Sequence, residues 1–235
     1  MHTFFKWAEA GLKIQRPDRG IQRPKLLAES AVQPFTEDEV HKMIAAAEAV
    51  KIEAKDGRKF RIRPRLSKRN IAIIVVLLDS GLRVSELCRL DIRDYNPMTG
   101  ELAIKAHGTA QKPHGRLVYL GKRARQVLWR YLSDREDQRP DDPLFPSVDD
   151  HRMDGHSVYL VLKRIAKQAG VTNCHPHRFR HTAAIQFLRN GGNVIVLQRI
   201  LGHRTPTMVK RYLQLTDMDT QSSMQATSPA DRWRV

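Results

Sequence analysis

Cysteine is almost missing from this chain. Only Cys88 and Cys174 occur in 235 residues, too few for a disulfide framework and without the C-x-x-C spacing of structural zinc modules. Long apolar runs are missing too. The longest, IAIIVVLL from Ile71 to Leu78, falls well short of the roughly 20 residues that span a bilayer, so it reads as a buried helix. The opening MHTFFKWAEAG has neither the apolar core nor the small-residue cleavage site of a signal peptide. There is no internal repeat and no low-complexity tract. These absences lead to the expectation of a cytoplasmic protein with no membrane association.

Acidic residues are in deficit: 25 Asp and Glu face 41 Lys and Arg, a formal charge of +16. Such an excess fits a polyanionic partner, because basic side chains that neutralise phosphates release condensed counterions. The plain alternative is a cationic surface that only confers solubility. No one segment gathers the charge onto an amphipathic helix, which argues against a membrane surface.

The chain divides into three parts. Residues 1–34 pair a short apolar helix face (Phe4, Phe5, Trp7, Ala8, Leu12) with a Pro- and Arg-rich basic linker. Residues 35–215 carry the periodic segments. Thr36 and Glu39 form a capping box, with Phe35 and Val40 as a hydrophobic staple. A basic loop follows, then a buried helix from Asn70 to Asp79 ending near Gly81. ELAIKAH and RLVYL read as two strands of a long-looped hairpin. Trp129 and Tyr131 are expected in the core, and a short last helix begins at Thr205 and Pro206. Residues 216–235 form a polar tail relieved by Met218, Met224 and Trp233. The fold class is therefore α+β, mostly helical, with a small antiparallel sheet.

One stretch is chemically dense: CHPHRFRH holds three histidines, a cysteine and two arginines at a helix start. His177 and His181 share a helix face at a spacing that can hold zinc. The glutamate of HExxH is missing, however, and two guanidinium groups nearby would repel a cation, so no metal is expected. A phosphate site is the other reading. His177 and Arg180 are three apart and project together at a helix N-terminus, and a guanidinium offers a fork that matches two phosphate oxygens. Local capping by His177 and a solvated Arg180 is the bland possibility. The run of Arg61, Arg63, Arg65, Lys68 and Arg69 similarly reads as a DNA-phosphate-facing surface or as a solvated loop.

GLRVSEL at 81–87, HPHRFRHT at 175–182, LGH at 201–203 and a tyrosine nine positions after that histidine occur in this order. Together they resemble the tyrosine recombinase, or phage integrase, family over roughly Phe35 to the C-terminus, the catalytic domain of that family. The resemblance implies that Arg83, His177, Arg180 and His203 surround a scissile phosphate and that Tyr212 is the nucleophile. Glu86 and His181 would support them. It further implies a 3′-phosphotyrosyl intermediate on double-stranded DNA with no metal, ATP or other cofactor. Family members often dock a terminal segment on a neighbour to build a tetramer on DNA; residues 216–235 could do so through Met218, Met224 and Trp233, or could equally fold back in cis or fray.

The residue types suit that chemistry. A phenol titrating near pH 10 needs a base or a cationic field to attack at neutral pH, and His177 is the candidate base. Arg83 and Arg180 would stabilise charge on the non-bridging oxygens, with His203 adding a hydrogen bond. The leaving 5′-oxygen needs a general acid.

Two departures from the family stand out. The hairpin reads GTAQKPHGRLVYL, with Thr109 where a lysine is usual. Lys112 is then the candidate acid with Lys105 behind it, or else a solvated loop charge. Relatives also carry a core-binding domain ahead of the catalytic one, and residues 1–34 resemble only its end. Weak, salt-sensitive DNA affinity is the consequence expected. The alternative function is a DNA-binding module of the same family without strand exchange.

Overall fold

The computed structural model describes residues 33–49, 51–53, 59–61, 64–105, 115–135 and 138–202. For 51–53 and 59–61 only the backbone is described. Among the described residues no helix is long and apolar enough to cross a membrane. The expected N-terminal remnant and basic linker, the hairpin loop with Lys112, Arg63, His203, the last helix with Tyr212, and the tail from 216 onward all lie outside the described residues.

Helix α1 (Glu37–Ala49) starts as its sequence dictates. The Thr36 N–H donates to Glu39 Oε2 at 2.9 Å and the Glu39 N–H to Thr36 Oγ1 at 3.1 Å, while three acids in the first turn favour the helix dipole. Val40, Met43 and Ala47 then face inward. The segment expected to be a basic loop contains an antiparallel hairpin, β1 (Lys51–Glu53) and β2 (Lys59–Arg61), with Ile52 opposite Phe60. The alternation in KFRIR is its sequence signal, masked by the density of charge around it.

Helix α2 (Pro64–Ser80) is the centre of the domain and starts six residues earlier than expected. Proline suits the first turn, where its missing N–H leaves no bond unmade. Ala72, Ile73, Ile74, Val76 and Leu77 are all fully buried, while Ile71, Val75 and Leu78 form a half-buried stripe, so most but not all of the helix surface is enclosed. A four-residue helix, α3 (Val84–Leu87), and the 3-10 turn Ile92–Asp94 lead into a three-stranded antiparallel sheet of order β3-β4-β5. Its strands are β3 (Tyr95–Asn96), β4 (Glu101–Ile104) and β5 (Arg116–Tyr119), with Leu102 opposite Val118. The two expected strands are present, and β3 is an addition.

Helix α4 (Lys122–Leu132) presents Ala124, Leu128 and Tyr131 to the core. Tyr131 is fully buried and its hydroxyl donates to the Leu144 carbonyl at 3.1 Å. Trp129 corrects the expectation of a core residue: it is 61% exposed, since a position one step after Leu128 is rotated about 100° off the buried stripe. The layer closes with α5 (Gly155–Gln168), capped by Asp154, then α6 (Pro176–Arg189) and α7 (Val194–Leu201), capped by Asn193.

Arg178, on α6, ties this layer to the start of the domain. Its guanidinium donates to the Gln33, Pro34 and Thr172 carbonyls and to both oxygens of Glu39. It also lies 3.9 Å over the Phe35 ring. Phe35 in turn packs against Phe179 and donates its N–H to Thr182 Oγ1 at 2.8 Å. Arg178 is buried and its carboxylate partner is half-buried, so removing one member strands the other. Arg178→Met is expected to lower unfolding stability by roughly 3 kcal/mol and to speed amide hydrogen exchange at Phe35. Unchanged exchange there would show that the clamp does not hold the segment.

Candidate active site

Arg180 brings three distant segments to one place. The side chain is buried, and its two terminal nitrogens donate to the Gly81 carbonyl and the Leu201 carbonyl, each at 2.7 Å. Gly81 stands two residues before Arg83, and Leu201 two residues before position 203. The GLR, H-x-x-R and LGH segments thus meet at one guanidinium.

The glycines of two of those segments are explained by geometry. Gly81 has φ +62°, and a Cβ there would sit 2.9 Å from Leu201 Cδ2 and 3.3 Å from Ala183 Cβ. Gly202 has φ +63° at the left-handed C-cap of α7, and a Cβ there would press on the Arg116 guanidinium at 3.1 Å. Both positions need φ > 0, and both sit where another element approaches closely.

Arg83 occupies the N-cap of α3, with its side chain about half exposed. Glu86, which sequence reading placed in support of Arg83, is buried. Its Oε2 accepts the Arg83 N–H at 2.8 Å, and its Oε1 accepts from Arg83 Nη1 at 3.1 Å. Its stronger partner is Arg116, which sequence reading did not select. Arg116 Nη1 and Nη2 donate to the two carboxylate oxygens at 2.9 and 2.8 Å, and its Nε donates to the Ile200 carbonyl at 2.7 Å. Burial alone would raise the Glu86 carboxyl. The Arg116 hydrogen bonds, the Arg83 N–H and both guanidinium charges outweigh it and hold the group down at about 2. The sequence signal for Arg116 was an arginine opening an otherwise apolar strand.

His177 lies on the first turn of α6 and is exposed. His181 is one turn on, and the two rings meet edge to face with centroids 4.3 Å apart. The helix cap is His175: its Nδ1 accepts the Arg178 N–H at 3.2 Å, with Pro176 at the first helical position. Burial, and then the Arg178 charge, lowers the His175 pKa, keeping the ring neutral as an acceptor. Cys174 turns inward, with its thiol donating to the Leu162 carbonyl and pushed up to about 11, chiefly by burial.

Several expectations change here. Arg69 is buried, donating to the Pro146 carbonyl at 2.6 Å and to Asn70 Oδ1. Those donors face inward, so Arg69 braces the fold and does not face DNA. Arg65 and Lys68 remain at the surface, paired with Asp150 and Asp134; the Arg61 side chain lies outside the described residues. Lys105, the reserve candidate for the general acid, is held by Asp91 and Asp94 at 2.6 and 2.9 Å. The Asp91 hydrogen bond above all raises its pKa, so its ammonium is retained at home and is poorly placed to deliver a proton.

The Glu86 pair has a pH signature. A carboxyl held at about 2 when folded, against an ordinary 4.5, contributes stability that is complete above pH 4.5 and is lost as pH falls toward 2. Glu86→Gln is expected to destabilise the protein by roughly 2 kcal/mol at pH 7, allowing for partial solvent screening. It should also flatten the loss of denaturant midpoint between pH 4.5 and 2. A variant whose midpoint tracks wild type across that range would show the carboxylate to be unimportant.

Comparison with known proteins identifies the family and the fold. Residues 33–218 match the phage integrase family. The chain is 26% identical over 227 residues to tyrosine recombinase XerD of Oceanobacillus iheyensis, covering 94% of this chain and 68% of that one. It is 30% identical over 223 residues to tyrosine recombinase XerC of Thermodesulfovibrio yellowstonii, covering 90% and 67%. Among solved structures, XerA recombinase superposes with a TM-score of 0.64 at 27% identity, over 94% of this chain and 72% of that one. The catalytic domain of bacteriophage HP1 integrase shares the fold at 22% identity and TM-score 0.54, over 84% of this chain and 96% of that domain. The match spans every segment that Arg180 draws together, and the chain belongs to the phage integrase family as a DNA-binding, site-specific recombinase of the tyrosine type.

Proposed function

We propose that this chain cleaves and rejoins double-stranded DNA through a 3′-phosphotyrosyl intermediate formed on Tyr212, without metal or ATP. The observation that carries the proposal is the Arg180 bridge between the Gly81 and Leu201 carbonyls. It holds the main chain at Gly81 and Leu201 against the helix that bears His177, which supports the reading. In this reading Arg83 and Arg180 stabilise the charge that develops on the non-bridging oxygens, and His203 adds a hydrogen bond. The phenol oxygen of Tyr212 forms the new bond to phosphorus while its proton passes to His177, with His181 packed against that ring. The P–O5′ bond breaks, and the departing oxygen takes a proton from Lys112. A 5′-hydroxyl from a second strand then reverses the step, so the covalent bond conserves the energy of the phosphodiester.

Arg65 and Lys68, together with Arg61 and Arg63, remain candidates for backbone contacts outside the scissile phosphate. The tail from 216 to 235 is assigned to docking on a neighbouring protomer in a tetramer assembled on DNA, in the cytoplasm.

A duplex nicked just beyond the cleavage point tests the chemistry, because loss of the short 3′ fragment traps the adduct. A covalent protein–DNA band is expected in EDTA, absent in Tyr212→Phe and reduced roughly 100-fold or more in Arg83→Ala. A gel shift with no adduct would mean a DNA-binding module that does not exchange strands. An adduct abolished by EDTA would overturn metal independence. Removal of residues 216–235 is expected to shift the mass of the DNA complex in analytical ultracentrifugation from four protomers to fewer. An unchanged mass would reject the docking role of the tail.

A further inference from the structure

The buried carboxylate of Glu86 raises an electrostatic difficulty. It lies 3.1 Å from the Arg83 guanidinium and also holds the Arg83 N–H. An arginine so paired is neutralised, which is the wrong state for a group that must meet a phosphate, where the attraction depends on uncompensated positive charge. Arg116 answers this. It takes both oxygens of the same carboxylate in the two-pronged geometry that is the strongest arginine–carboxylate arrangement. It is also mostly buried, at 18% side-chain exposure against 45% for Arg83. Arg83, Glu86 and Arg116 together carry one net positive charge, displaced toward the more exposed Arg83.

We infer that Arg116 is a positioning and charge-compensating residue: by occupying Glu86 it leaves Arg83 with its positive charge for the scissile phosphate. Its third bond, from Nε to the Ile200 carbonyl, and its closeness to Gly202, where it would press on any added Cβ, place the same guanidinium against the end of α7. One side chain on β5 therefore sets the electrostatics of α3 and the exit geometry of α7. Glu86 fixes the α3 N-terminus, and Arg116 removes the electrostatic penalty of having an acid there.

This inference rests on the recombinase reading for its catalytic arm but not for its binding arm. The experiment compares wild type, Arg116→Ala, Arg116→Lys and the double variant Arg116→Ala with Glu86→Gln. It uses adduct formation on the nicked duplex and anisotropy titration of the same duplex, below the melting temperature of each variant as fixed by circular dichroism. Arg116→Ala is expected to slow adduct formation roughly 100-fold and to weaken duplex affinity several-fold. Arg116→Lys keeps the charge and is expected to stay within about tenfold of wild type, while the double variant recovers about tenfold over Arg116→Ala in both measurements. A purely structural brace predicts the opposite, since deleting a second member of the network would add to the damage. A double variant no better than Arg116→Ala, or a lysine variant as poor as alanine, overturns the inference. If wild type forms no adduct, the recombinase chemistry fails, while the anisotropy arm still decides whether Arg116 offsets Glu86.

Discussion

A buried guanidinium cannot remain without acceptors, and in this protein that rule organises the site. Arg180 is 3% exposed, and leaving its terminal N–H groups unmet would forfeit more than a single hydrogen bond contributes when made. Two main-chain carbonyls meet them, at Gly81 and Leu201. Leu201 is the last residue of α7, where carbonyls lack an intrahelical partner and the dipole favours a cation, and Gly81 is the residue that follows α2. The bridge therefore satisfies both sides. It also dictates spacing: the two helix ends can approach the same side chain only if nothing projects between them, which is why Gly81 lies against Leu201 and Ala183.

Around that anchor, α6 divides its arginines by direction. Arg178 faces the chain entry, with Phe35, Thr182 and Glu39 as its surroundings, and Arg180 faces the helix ends. Positions two apart on a helix diverge by about 200°, so adjacent basic residues serve different packing problems. His177 and His181 fall on a further stripe, four apart and in ring contact. The dense basic stretch that begins α6 is thus three functions sharing one helix: a clamp, an anchor and a pair of imidazoles near the surface.

Charge is handled by networks throughout. Glu86 meets two arginines, and Asp91 meets Lys105 and Arg152. Buried ion pairs contribute little net stability because desolvation offsets their attraction, yet breaking one is costly. Their value here is positional, since both networks lock loops around the small sheet and leave the excess positive charge at the surface.

Most helices and the β4–β5 hairpin were legible in the amino-acid sequence, because apolar periodicity, the capping box at Thr36 and Glu39, and glycine stops are local properties with local causes; the short β1–β2 hairpin and β3 were not. Motif order made the family legible, and the match over residues 33–218 agrees with that; Arg83, His177 and Arg180 as one catalytic group is what the resemblance implies. The direction of each side chain was not legible. Arg69 belongs to a basic run yet points inward, Trp129 is a large apolar side chain next to the buried Leu128 yet points outward, and Arg116 looked like an ordinary strand residue. Sequence alone set most of the helices, the β4–β5 hairpin and which chemical groups are carried, since those depend on neighbours along the chain. Only tertiary structure decided which arginine meets which carboxylate, because residues 86 and 116 or 81, 180 and 201 become neighbours only through folding.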